Sequence, residues 1–201
     1  MAVLAWAASA NAQSEAQTRM TERMEHYFHG EKTEGYVFLG AGLAAGGSSV
    51  FLYTRDDEVA RGAAYPVAAV GVIDLAAGVV LLVRTDRQIR ERREQIASEP
   101  KRFHDDESKR MDRVATEFTW LKWTEIGLIA TGLGLFTYGA LEKKRSVEGV
   151  GIGLAAQSAV MLTLDLFAAA RADRYRDDLS TFGRSSAAQG LSFQLPVSGR
   201  F

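Results

Sequence analysis

Apolar and polar positions along this chain do not alternate; they fall into blocks. Residues 62–83, "GAAYPVAAVGVIDLAAGVVLLV", carry one charge, and the next eleven, "RTDRQIRERRE", carry eight. Four runs of the apolar kind reach spanning length, at 35–53, 62–83, 123–141 and 147–170. A hydrocarbon core about 30 Å thick needs roughly 20 helical residues, so each run predicts a transmembrane helix. Tyr36, Tyr53, Tyr65, Trp120, Trp123 and Tyr138 stand near the run ends, where interfacial aromatics belong. The links "TRDDEVAR" and "EKKRS" are short and charged, which predicts two tight antiparallel hairpins. Charged helices are expected at 84–97 and 101–120, broken at "SEPK" because Pro100 disfavours helix at Glu99. The predicted fold is an all-α membrane protein with four transmembrane helices and a charged helical cap on one side.

A shift of 91 residues lays a faint second copy over the first. It brings Arg19 onto Arg110, Met20 onto Met111, Thr33 onto Thr124, Glu34 onto Glu125, and "DLAA" at Asp74 onto "DLFA" at Asp165. The expected unit is a polar amphipathic helix, a two-span hairpin and a charged exit helix, covering 13–97 and again 98–182. Two spans return the chain to its starting side, so the copies should run parallel, related by a pseudo-twofold along the membrane normal.

Composition adds exclusions. A net charge of −1 gives no basic surplus for nucleic acid. Without cysteine there is no disulfide, thiolate metal site or cysteine nucleophile. No G-x-S-x-G, Walker or dinucleotide-binding glycine motif occurs, so neither a catalytic residue nor a cofactor is expected. Glu22, His26 and His29 share a helical face, and His104 precedes two aspartates, but the second copy of the first helix lacks both histidines. A metal site is therefore not expected. The cluster Arg84, Arg87, Arg90, Arg92 and Arg93 is interleaved with Asp86, Glu91 and Glu94, which predicts ion pairs within that helix.

The residues that call for explanation are the acids inside the spans. Asp74 falls near the middle of the second run, Asp165 lies nearer the cap, and Glu125 enters the third run two residues after Trp123. An ionised carboxylate at the depth of Asp74 costs at least a few kcal/mol, whereas Glu125 is shallow enough to reach the interface. One reading makes Asp74 and Asp165 hydrogen-bonded staples between hairpins, with Ser48 and Ser49 as partners for Asp74. The other makes them a carboxylate pair on a proton or cation path. Gly42-x-x-x-Gly46 and Gly149-x-x-x-Gly153 permit close backbone approach, and packing within the bundle is the expected use ahead of a homo-oligomer.

The ends carry conflicting signals. Residues 1–12 resemble the back half of a secretory leader with Ala-x-Ala sites, whose removal would place the cap outside the cytoplasm. Yet nineteen of the 24 lysines and arginines lie on the cap side, which the positive-inside rule assigns to the cytoplasm. The leader's position just ahead of the first repeat tips the expectation to the outside. Residues 183–201 are expected as a flexible tail, with "LSFQLPV" alternating like a short strand. The expected function is a non-enzymatic component of a bacterial inner membrane, in contact with lipid, that presents its cap to a protein partner. The alternative is a proton- or cation-conducting module using Asp74 and Asp165.

Overall fold

The computed structural model describes the backbone of residues 2–192 and the side chains of Asn11 and residues 14–184. It consists of four long helices: α1 (Ala2–Tyr53), α2 (Glu58–Ser98), α3 (Pro100–Leu141) and α4 (Arg145–Ser192). All four are long and apolar enough to cross a membrane. At 1.5 Å per residue, α2 and α3 are each roughly 60 Å long, about twice a hydrocarbon core. Each therefore continues well beyond its apolar part without a break. The expected separation into amphipathic helix, span and exit helix does not occur, because no proline or glycine pair interrupts the junctions at 34–35, 83–84, 122–123 and 170–171.

The breaks that do occur have local causes. Glu99 (φ −137°, ψ 63°) leaves the helical region ahead of Pro100, which opens α3 where its missing amide proton costs nothing. Asp57 caps α2 by accepting a hydrogen bond from the Val59 amide at 3.3 Å. That amide, with Arg145 beside it, holds the Asp57 carboxyl below the usual carboxylate range. At the other tip, Lys143 adopts φ 57° and the Lys144 amide donates to the Gly139 carbonyl (2.8 Å), closing α3. Pro66 lies eight residues past the start of α2, inside the helix. α1 runs through the Ala-x-Ala sites, and α4 continues to Ser192 through residues expected as part of the flexible tail, since "GRSSAAQG" holds no proline. The rest of the expected strand, 193–197, lies outside the described residues.

Buried positions recur at steps of three, four and seven. On α4 they include Gly151, Ser158, Asp165, Ala168, Ala172, Tyr175, Leu179 and Phe182; on α3, Phe103, Glu107, Met111, Glu125, Gly132 and Gly139. A seven-residue repeat is the signature of nearly parallel helices with a gentle left-handed twist. α2 and α4 form the central pair, α1 packs on α2, and α3 packs on α4. In the apolar half the contacts are backbone on backbone: Gly42 against Gly71, Gly35 against Gly78, Gly132 against Gly151, and Gly149 and Gly153 against Val59 and Ala63. In the polar half the same stripes carry Met24, Phe28, Ile96, Phe103, Met111 and Leu179, which form a hydrophobic core.

No more than 22% of any apolar window is buried, and large side chains such as Val72 (68% exposed) and Leu133 (54%) point outward from it. Water would not tolerate apolar faces this extensive, whereas lipid matches them.

Candidate functional site

The three acids singled out from the sequence all point inward. Asp74 lies on the α2 stripe between Gly71 and Gly78, fully buried, and neither carboxyl oxygen has a hydrogen-bond partner. The serines expected to serve it do not. The Ser49 hydroxyl donates to the Gly46 carbonyl within its own helix (2.9 Å), and Ser48 is exposed. The register explains this: Gly42 is the α1 residue that meets Gly71 and Leu75, so Ser49 sits two turns too near the tip.

Asp165 on α4 is nine-tenths buried and faces Asp74 across the central helix pair. It also faces Glu125, because α3 packs on α4. Glu125 is buried too, with Oε2 unpartnered. Measured from the helix starts at Glu58 and Arg145, Asp165 stands one turn nearer the polar end than Asp74.

Above the acids, at the boundary of the apolar half, Arg171 of α4 reaches Glu34 of α1 at 2.6 Å. The guanidinium lies over the Tyr27 ring (5.6 Å), and its stem occupies the space that Gly30 leaves open. Glu34 also faces Asp165. Glu31, one turn away, is buried beside Tyr27 and 3.9 Å from Arg84. Burial, reinforced by the Glu31 charge, pushes the Tyr27 hydroxyl above the ordinary phenol range.

Another buried carboxylate, Glu107, lies deeper in the polar half, and its every demand is met. Glu107 is completely buried on α3, receives Arg110 at 2.7 and 3.0 Å and Arg92 of α2 at 3.2 Å, and accepts from the Tyr175 hydroxyl of α4 at 3.2 Å. Burial alone would lower the Arg110 pKa, but the hydrogen bond and charge of Glu107 outweigh it and raise it. The Tyr175 hydroxyl is raised by burial and by the same carboxylate. Arg110 also lies over the Tyr27 and Phe28 rings (5.5 and 5.2 Å), and Tyr27 stacks on Tyr175 (4.4 Å).

The basic cluster on α2 is satisfied differently from the expectation. Only Arg87 pairs within its helix, with Glu91; Arg84, Arg92 and Arg93 pair across to Glu31, Glu107 and Glu25. The cause is that α2 stays in the bundle, so partners on other helices are nearer than the next turn. Sequence reasoning overlooked Glu107, Arg171 and the Tyr27–Tyr175 stack. A signal for Glu107 was present: it fills the gap in the stripe Phe103, Met111, Val114, Phe118, where a charge must find partners.

A groove of about 410 Å³ runs between α3 and α4 at the boundary, lined by Phe118, Lys122, Leu162, Asp165, Ala169 and Arg176 among others. It is where the acid cluster meets the surface. Among the described residues no three histidine or acidic side chains converge as metal ligands; His26 and His29 are exposed and apart from the acids. The arrangement can bind protons, since neighbouring carboxyls share them through O–H···O bonds. Compared with protein-family models, curated proteins and solved structures, the chain matches none.

Proposed function

We propose that this chain is a bacterial inner-membrane protein without catalytic activity that presents a prefolded charged cap to an acidic partner protein. The observation that carries the reading is a stripe on α3. Lys101, Lys109 and Arg113 are exposed on one face, at steps of eight and four, and make no ion pair or hydrogen bond among the described residues. Asp105, between them in register, lies 3.3 Å from His104. Lys101 is 22 residues from Trp123, roughly 33 Å along the helix. Lipid headgroups act over about a Debye length, near 8 Å at physiological salt, so Lys101, at the far end of the stripe, is out of their reach. The hydrophobic core beneath keeps the stripe on a rigid support, and a rigid support limits the entropy lost on association.

The test is a triple variant, Lys101→Glu, Lys109→Glu and Arg113→Glu, examined by native electrophoresis of mild-detergent extracts. A larger assembly present in wild type should disappear while thermal stability stays unchanged. Persistence of that assembly in the triple variant, or none in wild type, removes the reading.

The finer architecture in this reading is two parallel repeats, 13–97 and 98–182, preceded by a leader at 1–12. It is supported by the central α2/α4 pair with α1 and α3 on its flanks, the arrangement a twofold axis along the membrane normal would generate. The cap lies outside the cytoplasm in this reading. A cysteine introduced at exposed Ala97 should then react with an impermeant maleimide in intact cells; protection until the membrane is opened would reverse the assignment.

A further inference from the structure

Asp74 is the one acid of the membrane cluster with no exposure and no hydrogen-bond partner on either oxygen, and it lies within electrostatic reach of Asp165 across the central helix pair. Summed over the elements packed there, acids outnumber cations by five to three. α2 contributes Asp74 and no cation at that level; α1 contributes Glu34; α3 contributes Glu125 and Lys122; α4 contributes Asp165, Arg171, Asp173 and Arg176. The cations are already engaged. Arg171 holds Glu34 (2.6 Å), Arg176 holds Asp112 (2.9 Å) and Asp173 (3.7 Å), and Lys122 stands at the groove rim over the Trp123 ring (5.7 Å). Three carboxylates thus share one low-dielectric interface without a counter-ion.

Access differs at the two ends. Toward the polar end, Asp165 lines the open groove between α3 and α4. Toward the tips, Gly62 packs on the Ser146 backbone, Gly149 on Val59 and Gly153 on Ala63, leaving no room for even a Cβ. We propose that Asp165, Glu125 and Asp74 form a proton-binding site loaded from the polar end through this groove, with Asp74 the terminal acceptor. A hydronium in the groove protonates an Asp165 oxygen and leaves as water. The new hydroxyl donates to Glu125, and transfer across the central interface leaves Asp74 as the carboxylic acid and Asp165 ionised again. The protein alone is closed at the far end, so it stores protons and does not pass them through.

Infrared difference spectroscopy on the full chain in lipid nanodiscs tests this through the protonated-carboxyl C=O band. Acidification should develop the band in wild type; Asp74→Asn should remove one component, and Asp165→Asn should remove another while slowing deuterium exchange at Asp74. Ala169→Trp, which fills the groove and leaves the acids intact, should slow that exchange at least tenfold. Asn variants that keep helical circular dichroism and the complete wild-type band would overturn the site. Unchanged exchange in Ala169→Trp would overturn the one-sided access.

Discussion

The two halves of this bundle obey one geometric rule with opposite side chains. In the polar half the inward stripe carries large apolar groups, Phe28, Phe103 and Met111 among them, and most charges face out. In the apolar half the inward stripe carries glycine and acids, and Val72, Leu133 and Phe167 face out. The inversion follows from the solvent. Water favours burial of apolar area at roughly 25 cal/mol per Å², so large residues belong inside. Lipid gives no such preference, and close backbone approach through glycine supplies the contact instead. The buried carboxylates sharpen the contrast: Glu107 has two arginines and a tyrosine, whereas Asp74 has no hydrogen-bond partner.

The largest test of that contrast is Glu107→Ala. It leaves Arg92 and Arg110 in the core without their acceptor, and breaking a buried ion pair from one side costs about 3–5 kcal/mol. Unfolding in lipid nanodiscs followed by circular dichroism should show a loss of that size. A loss below about 1 kcal/mol would mean the polar half does not depend on its buried network. Phe28→Ala should follow at about 3–4 kcal/mol, because a completely buried ring leaves a cavity that rigid helices cannot close. The same measurement checks it, and an effect like that of an exposed position would show that the polar half has no packed core.

The four apolar blocks and the break at Glu99–Pro100 could be read directly, since both rest on local chemistry: uncharged runs of fixed length, and a proline that restricts its predecessor. The inward placement of Asp74 and Asp165 was legible as well, because lipid would reject them, whereas Glu125 was expected to reach the interface and is buried instead. Their partners were not. Assigning Ser49 to Asp74 needed the stagger between α1 and α2, which the Gly42–Gly71 contact sets and no local pattern encodes. The pairings of Arg92 with Glu107 and Arg93 with Glu25 depend on four helices remaining together past the boundary. Sequence periodicity gives each helix its inward stripe and says little about which stripe it meets.

The smallest effect discriminates most between a lipid and an aqueous setting for the apolar half. Leu133 lies mid-span on α3 and is more than half exposed, so Leu133→Ala removes little contact with protein and should shift stability by no more than about 0.5 kcal/mol. Taken alone, that result would fit either solvent, since an exposed leucine in water is also dispensable. Leu133→Asp separates them: at a bilayer centre an aspartate costs about 3 kcal/mol, and on a wetted helix surface it costs almost nothing. Arg113→Asp, at an equally outward position on the polar half of the same helix, provides the control and should stay within about 0.5 kcal/mol. The comparison between the halves stands if Leu133→Asp is damaging while Leu133→Ala and Arg113→Asp are silent. If all three are silent, the outward face of the apolar half is meeting water, and the reason for its inverted stripe is lost.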